Sequence, residues 1–360
     1  MKSTRPGTRQ SVKRILSMLY PTLRLKKIKI PSLQVLTGVG PAFPIFFVKF
    51  LPRDLRTRFS PGRGQGFYVT EILAEAIFLV FIFLALGGLT AGRKDAGATL
   101  VWTLFYAVLW VFWLGLIRWS SQRLKSAAYF RGFGPWIAVM LSYNLVGKLI
   151  RLVHPAIYDD RLQDWSDHFG VNLSDGKYPF LQGHPGLVDF FSWVYLGLFA
   201  WMLLFLFYYS LRRKSPYQGL MLGFMLIYAV GFLGYILYPA QGPRYTHPEQ
   251  WGWLEGGLGF HLMEKMVSHM GAKWDVFPSL HAALAFYLLG WQWGRHRTLH
   301  LFWALPLTVC ILLSTILLGF HYALDLVGGG LLGALTFYLS LKGGEKYGAW
   351  LESPLVGPLP

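Results

Sequence analysis

Charged side chains are scarce in this chain of 360 residues. Aspartate, glutamate, lysine and arginine make up only 14% of it, whereas an ordinary soluble domain contains about 25%. This scarcity excludes a typical soluble globular protein, and hydrophobic residues reach 54%. Aromatic residues are plentiful, with 28 Phe, 19 Tyr and 15 Trp, as suits aromatic belts at two membrane interfaces. The composition predicts an all-α, polytopic membrane bundle.

Cysteine is almost absent, because Cys310 is the only one in the chain. A disulfide framework within one chain is therefore excluded, and cysteine usage gives no indication of the redox compartment.

Acidic residues are almost absent from the N-terminal part. Residues 1–63 contain 14 lysines and arginines but a single acid, Asp54. We interpret 1–68 as a basic cytoplasmic or interfacial segment, because lysine and arginine accumulate on the cytoplasmic side of membrane proteins. Such a segment also suits anionic lipid headgroups. It contains no aromatic–basic nucleic-acid module, so we expect membrane lipids as partners and no nucleic acid.

Eight apolar runs are candidate membrane spans. Eighteen residues of helix extend about 27 Å, close to the thickness of a hydrocarbon core. The predicted spans are 72–89, 100–117, 136–153, 187–211, 220–238, 279–293, 301–318 and 321–341. We divide the chain into two additional helices within 69–134, a six-helix core within 135–341 and a cytoplasmic tail, 342–360.

The charges of the connections predict which ends of the spans lie together. With the N-terminus inside, basic loops follow the second, fourth, sixth and eighth spans, as the positive-inside rule requires; only the short loop with Arg93 and Lys94 disagrees. The connection after the third span is acidic instead. Residues 239–277 and the junction between the seventh and eighth spans then meet the outer or lumenal face. The inner basic residues are Arg118, Arg123, Lys125, Arg131, Arg212, Arg213, Lys214, Arg295, Arg297, Lys342 and Lys346.

Three ionisable residues lie at the predicted outer ends of these spans: His281, His321 and Asp325. Ionisable groups at the edge of a bilayer are costly to place and indicate function. Residues four apart share a helix face. The carboxylate of Asp325 can therefore orient one nitrogen of His321 and leave the other as a nucleophile or base.

Two further elements suit a phosphate group. Pro278 and Ser279 precede a helix, where serine is a favoured N-cap and the free N–H groups bind anions. His281 lies in the same turn and could donate a proton. Arg244 follows the fifth span on a Pro/Gly-rich loop, and a guanidinium group matches phosphate bidentately.

Together these elements resemble the type 2 phosphatidic acid phosphatase superfamily. Its members carry Lys…Arg-Pro, Pro-Ser-Gly-His and Ser-Arg…His…Asp motifs on a six-helix membrane core. The resemblance covers about residues 135–341. The chain departs from these motifs at four positions, which are Leu237 for the lysine, Tyr245 for the proline, Leu280 for the glycine and Thr315 for the second arginine.

The motif variants are more similar to the inositol phosphorylceramide synthase branch. This branch moves a phosphorylated headgroup from one lipid to another, so the resemblance implies a lipid phosphotransferase with a ceramide-like or other lipid alcohol as acceptor. The residues that carry the similarity are Phe277 to His281, Ser314, Thr315, His321, Tyr322, Asp325, Leu326, Gly328 and Gly329.

The resemblance also implies a mechanism. His321 attacks phosphorus and forms a phosphohistidine, Asp325 orients it, and His281 exchanges the proton with the leaving and accepting alcohols. Arg244 and Ser279 hold the phosphoryl oxygens. No metal and no cofactor are required, although the spacing alone does not exclude a zinc site of two histidines and one carboxylate.

The missing lysine and arginine leave a deficit of positive charge at the phosphate site. Lys148 and Arg151 are three residues apart near the predicted outer end of the third span. We hypothesise that they point into the site and replace the missing charge. The alternative is that both side chains extend to the membrane interface, as such residues commonly do.

Other functions remain open at this stage. A simple hydrolase of phosphatidate or polyprenyl diphosphate would use the same residues, because water and an alcohol attack the same phosphoenzyme. A proton-coupled transporter would also use intramembrane histidine and aspartate, and a non-catalytic lipid-binding relative is the third possibility. Either a bacterial plasma membrane or a eukaryotic Golgi or other endomembrane fits the chain, and the sequence specifies neither the lipid nor the oligomeric state.

Overall fold

A computed structural model describes residues 69–121, 127–154, 156–168, 175–211, 217–270, 274–293, 298 and 300–352. The predicted basic segment 1–68 and the end of the predicted tail, 353–360, lie outside these residues. Across the described part the fold is helical, and the only β-type pairing there is an isolated bridge between Ala240 and Asp275. The all-α prediction is confirmed.

Long helices make up most of the molecule. They are α1 (Val69–Thr90), α2 (Ala96–Ser121), α3 (Ala127–Val153), the shorter amphipathic α4 (Asp159–His168), α5 (Pro185–Leu211) and α6 (Tyr217–Leu237). After α6 come three connecting helices, α7 (Pro243–Thr246), α8 (Pro248–Trp251) and α9 (Leu258–Met270). The chain then forms α10 (Leu280–Trp293), a π-helical turn (His300–Ala304), α11 (Leu305–Leu317) and α12 (Ala323–Glu352).

Six stretches among the described residues are long and apolar enough to cross a membrane. They are Thr70–Thr90, Ala96–Ile117, Gly134–Val153, Pro185–Tyr208, Gly219–Leu237 and Ala323–Leu341. These correspond to six of the eight predicted spans and confirm a helical membrane bundle. The last helix also continues to Glu352, past the predicted end at residue 341.

The sixth and seventh predicted spans are helical over almost the whole of their predicted ranges, but both are shorter than the other six. α10 has 14 residues, about 21 Å of helix, whereas a hydrocarbon core is about 30 Å thick. The apolar stretch that contains α11 is Leu301–Leu317, and its first turn is π-helical. His281 and Gln292 also lower the hydropathy of α10. Its apolar run is therefore shorter than a membrane span requires.

The connections after α3, α6, α9 and α11 meet at one end of the bundle. The amide of Tyr158 donates to the carbonyl of Pro239 at 2.8 Å, and the amide of Arg244 donates to the carbonyl of Gly319 at 2.9 Å. The bridge between Ala240 and Asp275 joins the segments that follow α6 and α9. The connections that the charge pattern assigned to one face therefore share one end of the fold.

Glycines of α6 and α12 allow these two helices to pack closely against α10 and the residues just before it. A Cβ atom on Gly329 of α12 would overlap the carbonyl of Ser279, and one on Gly333 would overlap the carbonyl of Ala283. On α6, a Cβ atom at Gly234 would overlap the ring of Pro278. Small residues of this kind are typical of helix contacts in membranes. They bring the first turn of α10 directly onto α12.

A glycine also ends α11 and redirects the chain. Gly319 has φ +74°, which a residue with a side chain adopts only at a cost. Its amide donates to the carbonyl of Ile316 and the amide of Phe320 donates to that of Thr315, both at 2.9 Å. This is a Schellman motif, and the carbonyl of Thr315 also accepts from the amide of His321 at 3.2 Å. The motif turns His321 back towards α10.

Replacing Gly329 with leucine tests the α10–α12 contact. We expect Gly329→Leu to destabilise the protein by about 1–3 kcal/mol, because overpacking forces the two backbones apart. The measurement is Tm in detergent micelles. Gly115→Leu is the matched control, since Gly115 of α2 has nothing within 4 Å of an added Cβ atom. Equal Tm values for the two variants would contradict the packing argument.

Candidate active site

His321 and Asp325 form a buried pair. Nδ1 of the imidazole lies 2.9 Å from Oδ2 of the carboxylate, and the two residues are 4% and 0% exposed. The predicted pairing is confirmed, although α12 begins at Ala323 and His321 therefore precedes the helix that was expected to contain it. An ionised carboxylate only accepts hydrogen bonds, so Nδ1 carries the proton and Nε2 keeps its lone pair.

Ser279 connects this pair to α10. Its hydroxyl accepts a hydrogen bond from the amide of Ala282 at 3.3 Å, which is the predicted N-cap. The same hydroxyl lies 3.3 Å from Nε2 of His321, to which it can donate. The amide of Ser279 donates to the carbonyl of Asp325 at 3.1 Å. The start of α10 is thus attached to both members of the pair.

His281 is the second imidazole of the site. Its ring centroid lies 5.7 Å from that of His321 and 4.3 Å from that of Tyr195. Nε2 of His281 is covered, and no group in the described part of the chain hydrogen-bonds to it. This nitrogen is therefore available for a hydrogen bond to a group that enters the site. The three ionisable residues predicted to converge do so.

Both imidazoles line a cavity of about 60 Å³. Helices α3, α5, α6 and α10 contribute its apolar and aromatic walls. This volume accommodates a few water molecules or a group of comparable size, so it suits the reacting end of a lipid and not its acyl chains.

Asp275 also lines the cavity, and the sequence analysis did not identify it. Its carboxylate accepts a hydrogen bond from the hydroxyl of Tyr143 and interacts electrostatically with His321. Burial raises the pKa of the Asp275 carboxyl above its ordinary value, while the hydrogen bond from Tyr143 opposes this shift. Asp275 belongs to no recognised motif, and its only sequence signal is its position shortly before His281.

Asp159, one residue of the predicted acidic connection, fixes the loop that follows α6. It is 2% exposed and accepts from the amides of Gln241 and Gly242 at 2.9 and 2.8 Å and from the hydroxyl of Tyr322 at 3.0 Å. Burial raises the pKa of the Asp159 carboxyl, and these hydrogen bonds partly offset the shift. One carboxylate therefore joins this loop to the residue that follows His321.

Arg244, the predicted phosphate ligand, lies beside the cavity without lining it. Its Nη1 is 2.7 Å from Oε1 of Glu264, and the arginine side chain is 13% exposed. The guanidinium group also lies 5.1 Å from the ring centroid of Phe320, which does line the cavity. The structure thus brings Arg244 near the site but pairs its charge with Glu264.

Lys148 and Arg151 are not at the cavity, contrary to the hypothesis that they replace the missing charge. Nζ of Lys148 lies 5.5 Å from the ring centroid of Trp102 on α2, and Arg151 is exposed. Neither residue lines the cavity. Trp102 thus gives Lys148 an aromatic partner, and an ammonium over an indole is a favourable contact.

No set of metal ligands is evident where the structure is described. Groups of three or more histidine, cysteine, aspartate or glutamate side chains that could hold a metal ion do not occur there.

Comparison with known proteins gives one family. Residues 161–339 match the sequence profile of the family described as the PAP2 superfamily. The matched segment extends from within α4 to within α12 and includes both imidazoles, Asp275 and Asp325. No curated protein and no solved structure matches the chain.

Replacing Asp159 tests its role in holding the loop. Asp159→Ala removes the acceptor of three hydrogen bonds, and we expect a loss of stability of about 1–3 kcal/mol, because the remaining buried donors lose their partner. Tm in detergent is the measurement. Asp160→Ala, at an exposed neighbouring position, is the control and should leave Tm within about 1 °C of wild type, as surface changes usually do. A Tm for Asp159→Ala equal to that of the control would refute this role.

Proposed function

Since residues 161–339 are a PAP2 superfamily domain, we propose that this protein is a membrane enzyme that transfers the phosphoryl part of a lipid through a phosphohistidine at His321. Members of the superfamily are phosphatases or phosphotransferases. One observation carries the proposal. Nδ1 of His321 is engaged by Asp325 at 2.9 Å, while Nε2 points towards Ser279 in a cavity shared with His281.

The first step is attack of Nε2 of His321 on phosphorus. A P–N bond forms as the P–O bond to the lipid alcohol breaks, and His281 supplies a proton to the departing oxygen. Asp325 stabilises the imidazolium that develops. In the second step water or a lipid alcohol attacks phosphorus, its proton passes to His281, and the P–N bond breaks. This use of one acid–base group in both directions is ordinary general acid–base catalysis.

The phosphoryl oxygens are held at the start of α10. The N–H groups of its first turn and the hydroxyl of Ser279 are donors at a helix N-terminus, where an anion is favoured. In this proposal Arg244 exchanges its ion pair with Glu264 for a phosphoryl oxygen. Its contact with Phe320, which lines the cavity, supports such a role.

We favour transfer to a lipid alcohol, ceramide-like or other, over hydrolysis. The support is the motif form from Phe277 to His281 and from Ser314 to Gly329, which is similar to the inositol phosphorylceramide synthase branch. Hydrolysis of phosphatidate or polyprenyl diphosphate is the second candidate. It shares every catalytic residue and differs only in whether water or an alcohol reaches the phosphoenzyme.

We place the site at the outer or lumenal face of a bacterial plasma membrane or a eukaryotic endomembrane, with the N-terminus in the cytoplasm. The distribution of lysine and arginine over the connections supports this orientation. A proton-coupled transporter fits less well, because His281, His321 and Asp325 cluster at one end of the bundle and do not form a path through it.

Replacing His321 tests the nucleophile. We expect His321→Ala to reduce turnover by at least about 10³-fold, because a catalytic nucleophile is removed. Purified protein in mixed micelles is incubated with a panel of ³²P-labelled phospholipids, with and without ceramide or diacylglycerol. Release of products and an acid-labile phosphoenzyme are measured. His184→Ala, at an exposed histidine, is the control. Turnover or phosphoenzyme that persists in His321→Ala would refute the proposal.

Replacing His281 tests the proton donor separately from the nucleophile. With a lipid alcohol as leaving group, we expect His281→Gln to lose about 10²–10⁴-fold in rate, because general acid catalysis is lost. With a p-nitrophenyl ester of the same headgroup phosphate the loss should be far smaller, since p-nitrophenolate departs without a proton. The rates of phosphoenzyme formation on the two substrates are compared. An equal loss on both would show that His281 is not the acid.

A further inference from the structure

The charge of the cavity is unusual for a site that acts on a phosphate. Among the described residues that line it, Asp275 is the only acid, and neither lysine nor arginine is present. A carboxylate beside a phosphate raises the energy of both anions, because like charges repel. A substrate that brings only negative charge into this cavity is therefore disfavoured.

The basic residues near the site are already engaged. Arg244 lies 2.7 Å from Glu264, and Lys148 lies over Trp102. If Arg244 turns to the phosphate, its charge neutralises the phosphate and leaves Asp275 unpaired. Asp275 interacts electrostatically with His321, but that imidazole must be neutral at Nε2 when it attacks phosphorus. No lysine or arginine among the described residues that line the cavity then offsets the negative charge of Asp275.

Aromatic rings form the walls around this charge. Tyr143, Tyr195, Tyr235 and Tyr245 line the cavity with Phe320, and the rings of Tyr195 and Phe320 lie 4.9 Å apart. Among these rings Tyr143 contacts the carboxylate directly, through the hydrogen bond that its hydroxyl donates to Asp275. The faces of aromatic rings attract cations within about 6 Å, and quaternary ammonium groups are typically bound in such surroundings.

We propose that Asp275 and these rings bind the amine of a zwitterionic headgroup, so that the lipid donor is a choline or ethanolamine phosphodiester. This proposal rests on the proposed function, because His321 must act on the phosphorus of the same headgroup. Two carbons separate the phosphate from the amine in such lipids. The two imidazoles and the carboxylate line the same cavity, so in this proposal the phosphate lies at the imidazoles and the amine at the carboxylate.

A bound ammonium group changes how the Asp275 carboxylate is stabilised. Burial raises the pKa of the Asp275 carboxyl, because an ionised group loses hydration. The hydroxyl of Tyr143 supplies one hydrogen bond, but no positive charge. A bound ammonium group supplies that charge, so binding and ionisation of Asp275 favour each other. Phosphatidate and diphosphates offer no such compensation.

The reaction then moves a phosphorylated amino alcohol. Nε2 of His321 forms the P–N bond, the bond from phosphorus to the diacylglycerol oxygen breaks, and that oxygen takes the proton of His281. Choline or ethanolamine stays on phosphorus throughout. Water or a lipid alcohol then attacks phosphorus, returns a proton to His281 and releases His321.

The test compares two lipids of the same shape. One is phosphatidylcholine, and the other is its 3,3-dimethylbutyl analogue, in which carbon replaces the ammonium nitrogen and the charge is lost. Diacylglycerol release is measured in mixed micelles as kcat/KM. We expect the wild-type protein to prefer phosphatidylcholine by at least about 30-fold, which corresponds to about 2 kcal/mol for a desolvated cation over aromatic rings.

Asp275→Asn should reduce this preference at least tenfold, because the charge is removed while the size of the side chain is kept. Asp164→Asn is the matched control, since it makes the same change at an exposed position on α4, and its preference should equal that of wild type. If Asp275→Asn does not fold, the comparison of the two lipids with the wild-type protein still tests the headgroup assignment, because it requires no variant.

The outcomes separate this proposal from the proposed function. A wild-type ratio near one, or turnover of phosphatidate but of neither ester, would overturn the headgroup assignment while leaving a His321-dependent enzyme. An equal loss on both esters in Asp275→Asn would make Asp275 part of the chemistry itself and would also overturn it. Absence of any His321-dependent turnover or phosphoenzyme across the whole lipid panel would instead refute the proposed function.

Discussion

The contact between the first turns of α10 and α12 is the constraint on which the rest of the site depends. The amide of Ser279 donates to the carbonyl of Asp325 at 3.1 Å, and this approach is possible only because Gly329 has no side chain there. Two helix N-termini therefore meet where the imidazoles lie. Each carries partial positive charge, so their backbones supply part of the field that basic residues would otherwise provide for an anion.

Much of this arrangement could be predicted from the spacing of residues along the chain. The apolar runs predicted the long helices, the interval between His321 and Asp325 predicted their pairing, and the position of Ser279 predicted its cap. These are short-range properties that a helix or a turn fixes by itself. The bounds of α10 were predicted to within one residue, but its 14 residues are fewer than a span of the hydrocarbon core requires.

The remaining features depend on how the helices rotate and where the connections cross, which spacing along the chain does not determine. Asp275 faces the cavity because of its pairing with Ala240 and its hydrogen bond from Tyr143. Lys148 was expected in the site because it lies near the end of α3 that was predicted to face outwards. Its side chain instead lies over Trp102 of α2, and no pattern within α3 could reveal that neighbour.

Charge balance then connects the fold to the choice of substrate. A membrane protein places few charges near its apolar core, because each uncompensated one is costly. Asp325 is compensated by His321, and Asp159 by three donors from the loop and from Tyr322. Asp275 accepts hydrogen bonds from the hydroxyl of Tyr143 and from its own amide, and neither donor carries a charge. Of the three carboxylates it alone lines the cavity, and for this reason we assign its cationic partner to the ligand.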